Sequence, residues 1–494
     1  PVLIEDWPDV KIRGFMLDIS RDRVPTRETL ERFLDLMAKA RYNQFQLYTE
    51  HTFAYPEHEA VWKHASPITA DDIKWLQAKC QERGIELVPN QNTFGHFERW
   101  LALPEYADRA ESPQGFDWGG RHRSPSVLQP TQDNADFALS LVDELTPLFD
   151  SDWVNIGADE TFELGQGKSA ELVKEKGVHK VYFEHLMRLV KPLTDKGKKV
   201  QFWADVLEGE PELGADLPEN AIPIAWRYED PAKGRSLEYD AQLLEKSGRP
   251  FWLAPGLGNW NSFTGRLDVA IANLTECMRV AKEHECEGVL VTSWGDNGHM
   301  EPPSISFVPL VLGGAYAWDL SANRALDPVE VANEQVFDDP SGVAGQVFVE
   351  LGFSWKPVGP SNSNGSALFM CLIPSWPPQW WGEAQDPEVV EEVGQELLSL
   401  IDRLKDADMR CKDAELVKEE LVHAAKMAKL GADVLLESET VTEERIAQAK
   451  LKQAELWLKR SRPGGLQDSL GKLLNRLSDF TEIQRITWGG QERR

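Results

Sequence analysis

Cysteine is scarce in this chain, which has five among 494 residues: Cys80, Cys277, Cys286, Cys371 and Cys411. They are odd in number and widely scattered, so they indicate neither a disulfide framework nor a paired-cysteine metal motif. We therefore expect a reducing compartment and a cytoplasmic location. Residues 1–6 have neither an initiator methionine nor a signal-peptide pattern, which leaves export open.

Long apolar runs are also missing, since none approaches the roughly 20 residues that a membrane-spanning helix needs. Basic residues are outnumbered, with 53 Lys and Arg against 81 Asp and Glu and a net charge of −28. Such a surface repels phosphate backbones and anionic lipids, so we expect neither nucleic acid nor membranes as partners. A neutral substrate is compatible with it. The oligomeric state stays open, with a homodimer as one option.

What the chain does have is a regular alternation of short apolar runs and amphipathic segments from residue 13 to about residue 320. Two of the amphipathic segments follow a threonine cap, Thr26 or Thr69. Strands are predicted at residues 14–19, 44–48, 85–89, 153–158, 200–204, 222–226, 250–254 and 288–294. Eight such units favour an α/β fold, the (β/α)8 TIM barrel. A doubly wound open sheet is the alternative, although no glycine-rich phosphate turn follows the first strand.

Composition changes after the predicted barrel. Residues 354–387 are rich in proline, and we expect Trp376, Trp380 and Trp381 to hold this crossing in place. Beyond it, helical periodicity covers residues 388–405, 413–436, 442–460 and 466–481. We predict a catalytic barrel at 1–325, a connecting helix and Pro/Trp-rich crossing at 326–387, and an α-helical C-terminal domain at 388–494.

The most informative motif is the adjacent carboxylate pair Asp159-Glu160, at the end of the fourth predicted strand. Barrel enzymes keep their chemistry at the carboxyl ends of the strands. A buried acid pair is costly unless one member stays protonated or finds a donor, so the pair indicates acid–base work. The alternative is that Glu160 merely caps the next helix and that Asp159 is solvated.

Aromatic residues mark several other predicted strand ends. The chain has 18 tryptophans, and Trp203, Trp226, Trp260 and Trp294 stand at or just after four successive strands. Arg13 stands at the beginning of the first predicted strand. Other polar residues stand beside the tryptophans or near the remaining strand ends: Asp18, Arg21, Glu50, His96, Asp205, Tyr228 and Asp296. This pattern predicts a small pocket with aromatic walls and carboxylates, which suits a sugar.

Three segments resemble the barrel motifs of the family 20 glycoside hydrolases, the β-N-acetylhexosaminidases: residues 13–18, residues 84–89 with Gly95-His96, and residues 157–160. The sequence is most similar to the hexosaminidase D branch, on residues 92–98, 156–160, 164–167 and 292–294. The resemblance covers roughly residues 13–320 and leaves out the C-terminal region.

The resemblance implies an exo-acting, retaining hydrolase of terminal β-linked N-acetylgalactosamine or N-acetylglucosamine, with no metal and no cofactor. Glu160 would be the general acid and then the base. Asp159 would orient the substrate's own acetamido group, whose oxygen forms an oxazolinium-type intermediate. Asp159 must then be ionised while Glu160 is protonated, so the pKa values of the two carboxyls should be split.

The resemblance also implies the substrate-binding residues. Arg13 would bond ring hydroxyls at the closed end of the pocket, and Asp296 would bind outer hydroxyls. Trp203, Trp226 and Trp294 would form the walls. Tyr228 is the candidate donor to the acetamido oxygen. His96 would steady the acid or line the pocket, with a satisfied core histidine as the alternative.

Two departures from the family pattern concern the surroundings of the acid. Asn92 stands where an aspartate commonly supports the acid through a histidine, and Asp22 stands where many members have a histidine.

Two rival functions remain open. One is a non-catalytic sugar-binding barrel, and the other is a two-carboxylate glycosidase that uses Glu50 or Asp205. A metal hydrolase is disfavoured because the histidines lack ligand spacing.

Overall fold

The computed structural model describes residues 5–360, 364–375 and 386–474. Eight parallel strands, numbered here as barrel strands, form its centre. They are β1 (Ile12–Asp18), β2 (Gln44–Tyr48), β3 (Glu86–Val88), β4 (Trp153–Asn155), β5 (Lys199–Trp203), β6 (Ala221–Trp226), β7 (Trp252–Ala254) and β8 (Gly288–Ser293). Each coincides with a predicted strand, so the predicted (β/α)8 barrel is confirmed.

The strands pair in the order β3-β2-β1-β8-β7-β6-β5-β4. The remaining gap between β3 and β4 is bridged by Asn155, whose amide donates to the Pro89 carbonyl at 2.9 Å while its carbonyl accepts from Gln91 at 3.0 Å. These bonds close the sheet into a barrel, so the open-sheet alternative is wrong. Closure brings the carboxyl ends of all eight strands around one opening.

Helices lie between most of the strands and after the last one. They are α1 (Arg27–Lys39), α2 (Ala70–Gln81), α3 (Gln132–Leu145), α4 (Val178–Asp195), α5 (Leu237–Glu245), α6 (Leu267–Glu283) and α7 (Phe307–Trp318). Thr26 caps α1 by accepting from the Thr29 amide, and Thr69 forms a reciprocal capping box with Asp72 at the start of α2. Between β5 and β6 the chain makes only two short 3-10 segments, Leu207–Gly209 and Pro211–Asp216.

The barrel interior holds an unusual layer of amides below the opening. Gln46 donates to Gln201 at 2.8 Å and accepts from both Asn90 (2.9 Å) and Asn155 (3.1 Å). A buried amide is stable only when it is hydrogen-bonded, so these side chains must be placed together. They tie β2, β4 and β5 to the loop after β3 beneath the carboxylate pair.

Helices also fill the region after the barrel: α8 (Val343–Phe353), α9 (Pro387–Arg403), α10 (Ala414–Leu435), α11 (Glu443–Arg460) and α12 (Leu466–Lys472). A helical C-terminal region is therefore confirmed. Residues 376–381, with Trp376, Trp380 and Trp381, lie outside the described residues, as does the predicted helix beyond residue 474. The domain boundaries at residues 325 and 387 stay predictions.

The C-terminal helices pack against the loops at the carboxyl end of the barrel. Lys472 pairs with Asp22, Ser469 donates to the Gly298 carbonyl, and Gln453 donates to the Met300 carbonyl. They therefore support the loops that follow β1 and β8. Among the described helices, none combines the length and apolar character needed to cross a bilayer.

Candidate active site

A cavity opens at the carboxyl ends of the strands, the end at which barrel enzymes keep their chemistry. Its lining consists of Arg21, Asp159, Glu160, Trp203, Trp226, Tyr228, Trp260, Trp294, Asp296 and Asn364. Eight of the ten residues proposed from the sequence line it. Of the other two, His96 contacts both catalytic candidates, and Arg13 lies elsewhere.

The carboxylate pair sits on a sharply turned loop after β4. Gly157, Ala158 and Glu160 all have left-handed backbone angles, with φ of 65°, 67° and 50°. Asn92 lies directly against this turn: its Oδ1 accepts from the Ala158 amide at 3.0 Å. A Cβ at Gly157 would sit 2.6 Å from the Asn92 side chain, so only glycine fits there. The loop thus aims Asp159 and Glu160 into the opening.

Asp159 is buried and held by two partners. Asn92 Nδ2 donates to its Oδ1 at 2.7 Å, and His96 Nε2 lies 3.3 Å from its Oδ2. Burial alone would raise the pKa of Asp159, but the charge of His96 and these contacts lower it below its ordinary value. The carboxylate is therefore ionised at neutral pH, and the alternative of a solvated Asp159 is wrong.

Glu160 shows the opposite shift. Burial raises its pKa above the ordinary value; His96, 3.5 Å from its Oε2, opposes this, whereas the Asp159 charge adds to it. The Glu160 amide donates to Asp205 Oδ2 at 3.1 Å. Burial and the Asp159 charge raise the pKa of Asp205 to about 8, so this third carboxyl is largely neutral at pH 7.

His96 lies between the two carboxylates and two further charged residues, Arg21 and Glu50. Burial would lower its pKa, but the Asp159 carboxylate raises it to about 10, so the ring is an imidazolium at neutral pH. Its Nδ1 lies 3.4 Å from Arg21 Nη2 and 3.9 Å from Glu50 Oε1. Burial raises the pKa of Glu50 to about 7 despite the nearby cations. The ring therefore lies at the site, in contact with both candidate residues, and not in a core remote from them.

The expectation that Arg13 closes the pocket is wrong. Arg13 lies near the start of β1, at the opposite end of the barrel, and donates to the carbonyls of Val10, Lys11 and Arg41. Residues at the start of a barrel strand cannot reach the opening at its carboxyl end.

Arg21 occupies the place expected for Arg13. It follows β1, pairs with Asp18 (3.2 Å) and Glu50 (3.4 Å), and lies 4.9 Å from the ring centres of both Tyr48 and Trp294. Its position three residues beyond the strand end was the signal available in the sequence.

Aromatic rings form the remaining walls. Trp203 and Trp294 have centroids 5.8 Å apart, Trp226 stacks on Tyr228 at 5.3 Å, and Trp260 meets Tyr228 edge-on at 5.1 Å. Among the described residues, the buried indole Nε1 atoms of Trp203 and Trp226 have no hydrogen-bond partner. Buried donors normally have one, so these atoms are available to a polar ligand.

Asp296 completes the outer part of the pocket. Burial raises its pKa above the ordinary value, against the charge of Arg21. Asp18 steadies the loop that carries Asp296 by accepting from the Gly295 amide at 3.0 Å. Asn364 also reaches the pocket, from the segment after the barrel, where Ser366 is anchored to the Asn261 carbonyl. Nothing in the sequence indicated that this segment returns to the opening.

These features define a (β/α)8 barrel with an acid pair and aromatic walls in a cavity at its carboxyl end. The profile described as "Glycosyl hydrolase family 20, catalytic domain" matches residues 11–288, more than half of the chain. The chain belongs to this glycosyl hydrolase family.

Relatives in the family are distant in sequence. Beta-hexosaminidase A of Caenorhabditis briggsae is 25% identical over 249 residues, which cover 45% of this chain and 43% of that protein. Beta-hexosaminidase of Vibrio furnissii is 26% identical over 264 residues, covering 47% and 42%. The chain thus spans less than half the length of these two curated relatives.

A solved structure shows the same fold. The GH20 exo beta-N-acetylglucosaminidase from Vibrio harveyi, in complex with N-acetylglucosamine, aligns with a TM-score of 0.51 at 17% identity. The alignment covers 63% of this chain and 55% of that one.

Proposed function

We propose that this protein is an exo-acting β-N-acetylhexosaminidase that removes terminal non-reducing β-linked N-acetylhexosamine with retention of configuration. The observation that carries the proposal is an adjacent carboxyl pair with opposite pKa shifts, an ionised Asp159 beside Glu160, whose pKa is raised, in a cavity with tryptophan walls. Family membership and the beta-hexosaminidase names of the relatives support it.

Glu160 is the proposed general acid. A carboxyl whose pKa is raised keeps its proton closer to neutral pH and can deliver it to the leaving glycosidic oxygen. The ionised Glu160 then takes a proton from the water that attacks in the second step. The Asp205 carboxyl fixes the left-handed backbone at Glu160 through its hydrogen bond, which keeps the acid directed into the pocket.

Asp159 is the proposed partner of the substrate's acetamido group. As the acetamido oxygen attacks the anomeric carbon, positive charge develops on the amide, and the nearby carboxylate stabilises it. The hydrogen bond from Asn92 and the charge of His96 hold Asp159 ionised and in one orientation. Tyr228 lines the same pocket and is the proposed hydrogen-bond donor to the acetamido oxygen.

Arg21 and Asp296 are the proposed partners of the sugar hydroxyls. The paired contacts of Arg21 with Asp18 and Glu50 fix its guanidinium between the rings of Tyr48 and Trp294. The tryptophan faces match the apolar C–H faces of a pyranose, and Trp203 and Trp226 offer indole N–H groups to its oxygens.

A two-carboxylate mechanism is less well supported. It needs a second acid across the sugar from Glu160, about 5 Å away for retention. Glu50 lies behind His96 and Arg21, and Asp205 lies behind the Glu160 backbone; neither lines the cavity. A barrel that only binds sugar would not need two adjacent carboxyls whose pKa values are shifted in opposite directions.

Within the family we propose membership of the hexosaminidase D branch, supported by the motifs at residues 92–98, 156–160 and 292–294. That branch favours N-acetylgalactosamine over N-acetylglucosamine. The two sugars differ only in the orientation of the C4 hydroxyl, axial or equatorial, which lies within the proposed reach of Arg21 and Asp296.

Free cysteines in the described residues support the proposal of a reducing, cytoplasmic compartment.

Matched p-nitrophenyl β-GalNAc, β-GlcNAc and β-Glc substrates test the function. We expect hydrolysis of the two acetamido sugars and at least about 100-fold less of the glucoside, because the glucoside lacks the internal nucleophile. Efficient hydrolysis of the glucoside would contradict the acetamido mechanism.

Digestion of a short chitooligosaccharide tests exo action. It should release monosaccharide from the first time point, whereas early internal fragments would contradict exo action.

A further inference from the structure

The residue that follows Arg21 is held by a helix from the far end of the chain. Asp22 is buried, and its backbone is left-handed (φ 71°), a conformation that a residue other than glycine adopts only where its surroundings favour it. Both of its carboxylate oxygens have a cationic partner. Arg99 donates to Oδ1 at 2.8 Å, and Lys472, the last residue of α12, donates to Oδ2.

The start of α12 lies against the backbone of the same loop. Gly465 directly precedes the helix, and a Cβ at this position would overlap the Asp22 carbonyl oxygen, so only glycine allows the approach. Arg99, which binds Asp22, also pairs with Asp468 of α12 at 2.6 Å. The helix therefore contacts the loop after β1 through its backbone, through Lys472 and through a shared arginine.

Lys472 also reaches the loop on the other side of the pocket. Gly298 lies two residues beyond Asp296, and a Cβ there would be 3.2 Å from Ser469 and 3.3 Å from the Lys472 side chain. Burial raises the pKa of Asp296, and the charges of Arg21 and Lys472 oppose this increase. One lysine thus acts on the two loops that carry Arg21 and Asp296, the proposed partners of the sugar hydroxyls.

The charge of Asp22 makes the lysine necessary. A buried carboxylate that loses one of its two cationic partners is left with an unpaired oxygen, which is costly in free energy. The loop can relieve this cost by turning Asp22 towards water, and the adjacent Arg21 must then move with it. A displacement of a substrate-binding group by about 1 Å is enough to reduce the rate strongly.

We propose that Lys472 is a positioning residue for the sugar pocket: through Asp22 it holds the Arg21 guanidinium where that group meets the hydroxyls of the terminal sugar. The inference rests on the proposed glycosidase function and gives the helical region after the barrel a part in substrate binding. Lys472 lies outside residues 11–288, which the family profile matches, so the barrel sequence of the family does not supply this contact.

A double-mutant cycle tests the proposal, with kcat/KM measured on whichever p-nitrophenyl N-acetylhexosaminide the wild type prefers. Lys472→Met should lower kcat/KM about 5- to 30-fold, less than the roughly 100-fold that a full ångström of misplacement can cost. In the Arg21→Ala background the same change should cost less than about twofold, because the group that Lys472 positions is already gone. Lys472→Arg keeps a cation beside Asp22 and should retain most of the wild-type activity.

Lys459→Met is the matched control. The Lys459 side chain, on α11, is 38% exposed, as is that of Lys472, and it pairs with Glu419 at 2.9 Å, away from the barrel loops. Its replacement should leave kcat/KM unchanged in both backgrounds. Circular dichroism and thermal denaturation check that each variant folds. If Lys472→Met does not fold, Lys472→Gln takes its place.

The outcomes separate this inference from the proposed function. Equal losses from Lys472→Met in the wild-type and Arg21→Ala backgrounds would overturn the positioning role alone, because Lys472 would then support only the fold. Unchanged kcat/KM in Lys472→Met would overturn it as well. A wild type that hydrolyses neither acetamido substrate would overturn the proposed function itself.

Discussion

His96 Nε2 lies 3.3 Å from Asp159 Oδ2, and this contact organises the charge of the site. The imidazolium, with a pKa of about 10, keeps the aspartate ionised, and the ionised aspartate in turn favours a protonated Glu160. Two adjacent carboxyls thereby acquire different protonation states, which is what acid catalysis next to a charge-stabilising group requires.

Glu160→Gln should reduce kcat/KM about 10²–10⁴-fold on a substrate with a poor leaving group such as methyl β-GlcNAc, and much less on the p-nitrophenyl glycoside. A good leaving group needs little protonation, so the acid matters less for it. Steady-state kinetics on both substrates measure the difference. Glu171→Gln, on an exposed side chain, is the control. Equal losses on the two substrates would count against Glu160 as the acid.

Asp159→Asn should damage kcat more than KM. The asparagine can still form a hydrogen bond in the ground state, but it cannot balance the charge that develops as the acetamido group attacks. A thiazoline mimic of the cyclised intermediate should inhibit the wild type strongly and this variant weakly. Equal inhibition of both would remove Asp159 from the proposed role.

The pH profile of kcat/KM should be bell-shaped. Activity falls at low pH as Asp159, whose pKa is lowered, takes up a proton, and it falls at higher pH as Glu160, whose pKa is raised, loses one. The His96 charge lowers the pKa of both carboxyls, so His96→Gln should move both limbs to higher pH and reduce the maximum. His64→Gln, on an exposed side chain, should leave the profile in place. An unshifted profile in His96→Gln would contradict the assigned charge of the ring.

Two arginine variants separate the pocket from the other end of the barrel. Arg21→Ala should lower kcat/KM about 10- to 150-fold, since hydrogen bonds to charged groups each contribute about 1.5–3 kcal/mol. Arg13→Ala removes three bonds from a charged guanidinium to backbone carbonyls and should lower the free energy of unfolding by several kcal/mol. Its kcat/KM should stay unchanged. Kinetics with thermal denaturation distinguish the two, and the reverse pattern would restore Arg13 as the pocket residue.

Asp205 offers a test of positioning. Asp205→Asn keeps a neutral oxygen that can accept from the Glu160 amide, so activity should change little. Asp205→Ala leaves that amide unpaired and should lower kcat roughly tenfold, at a cost of about 1–3 kcal/mol. Equal activity of the two variants would show that the hydrogen bond does not position Glu160.

The same residue predicts a pH dependence of stability. Asp205 has a pKa of about 8 when folded and about 4 when unfolded, so the folded state holds the extra proton between these values. Its contribution to the free energy of unfolding therefore decreases as pH rises from about 4 to about 8. Urea denaturation across this range should show a smaller decrease in Asp205→Asn than in the wild type. Parallel curves would contradict the raised pKa.

The sequence alone determined the local features of this protein. Strand positions followed from apolar runs such as 44–48 and 153–158, and helix starts followed from the Thr26 and Thr69 caps, because these signals depend only on neighbouring residues. Eight strand–helix units also implied the barrel, and with it the convergence of Asp159, Glu160 and Trp294 at one end.

Tertiary structure decided which residues meet across the barrel. Arg21 stands beyond the end of β1, which the sequence already indicated, but only the folded barrel shows that it pairs with Glu50 and lies against the ring of Trp294. Asn92 and Asp205 contact the acid loop from other strand ends, and Asn364 arrives from beyond the barrel. The pKa values depend on burial and on distances between such groups, which exist only once the chain has folded.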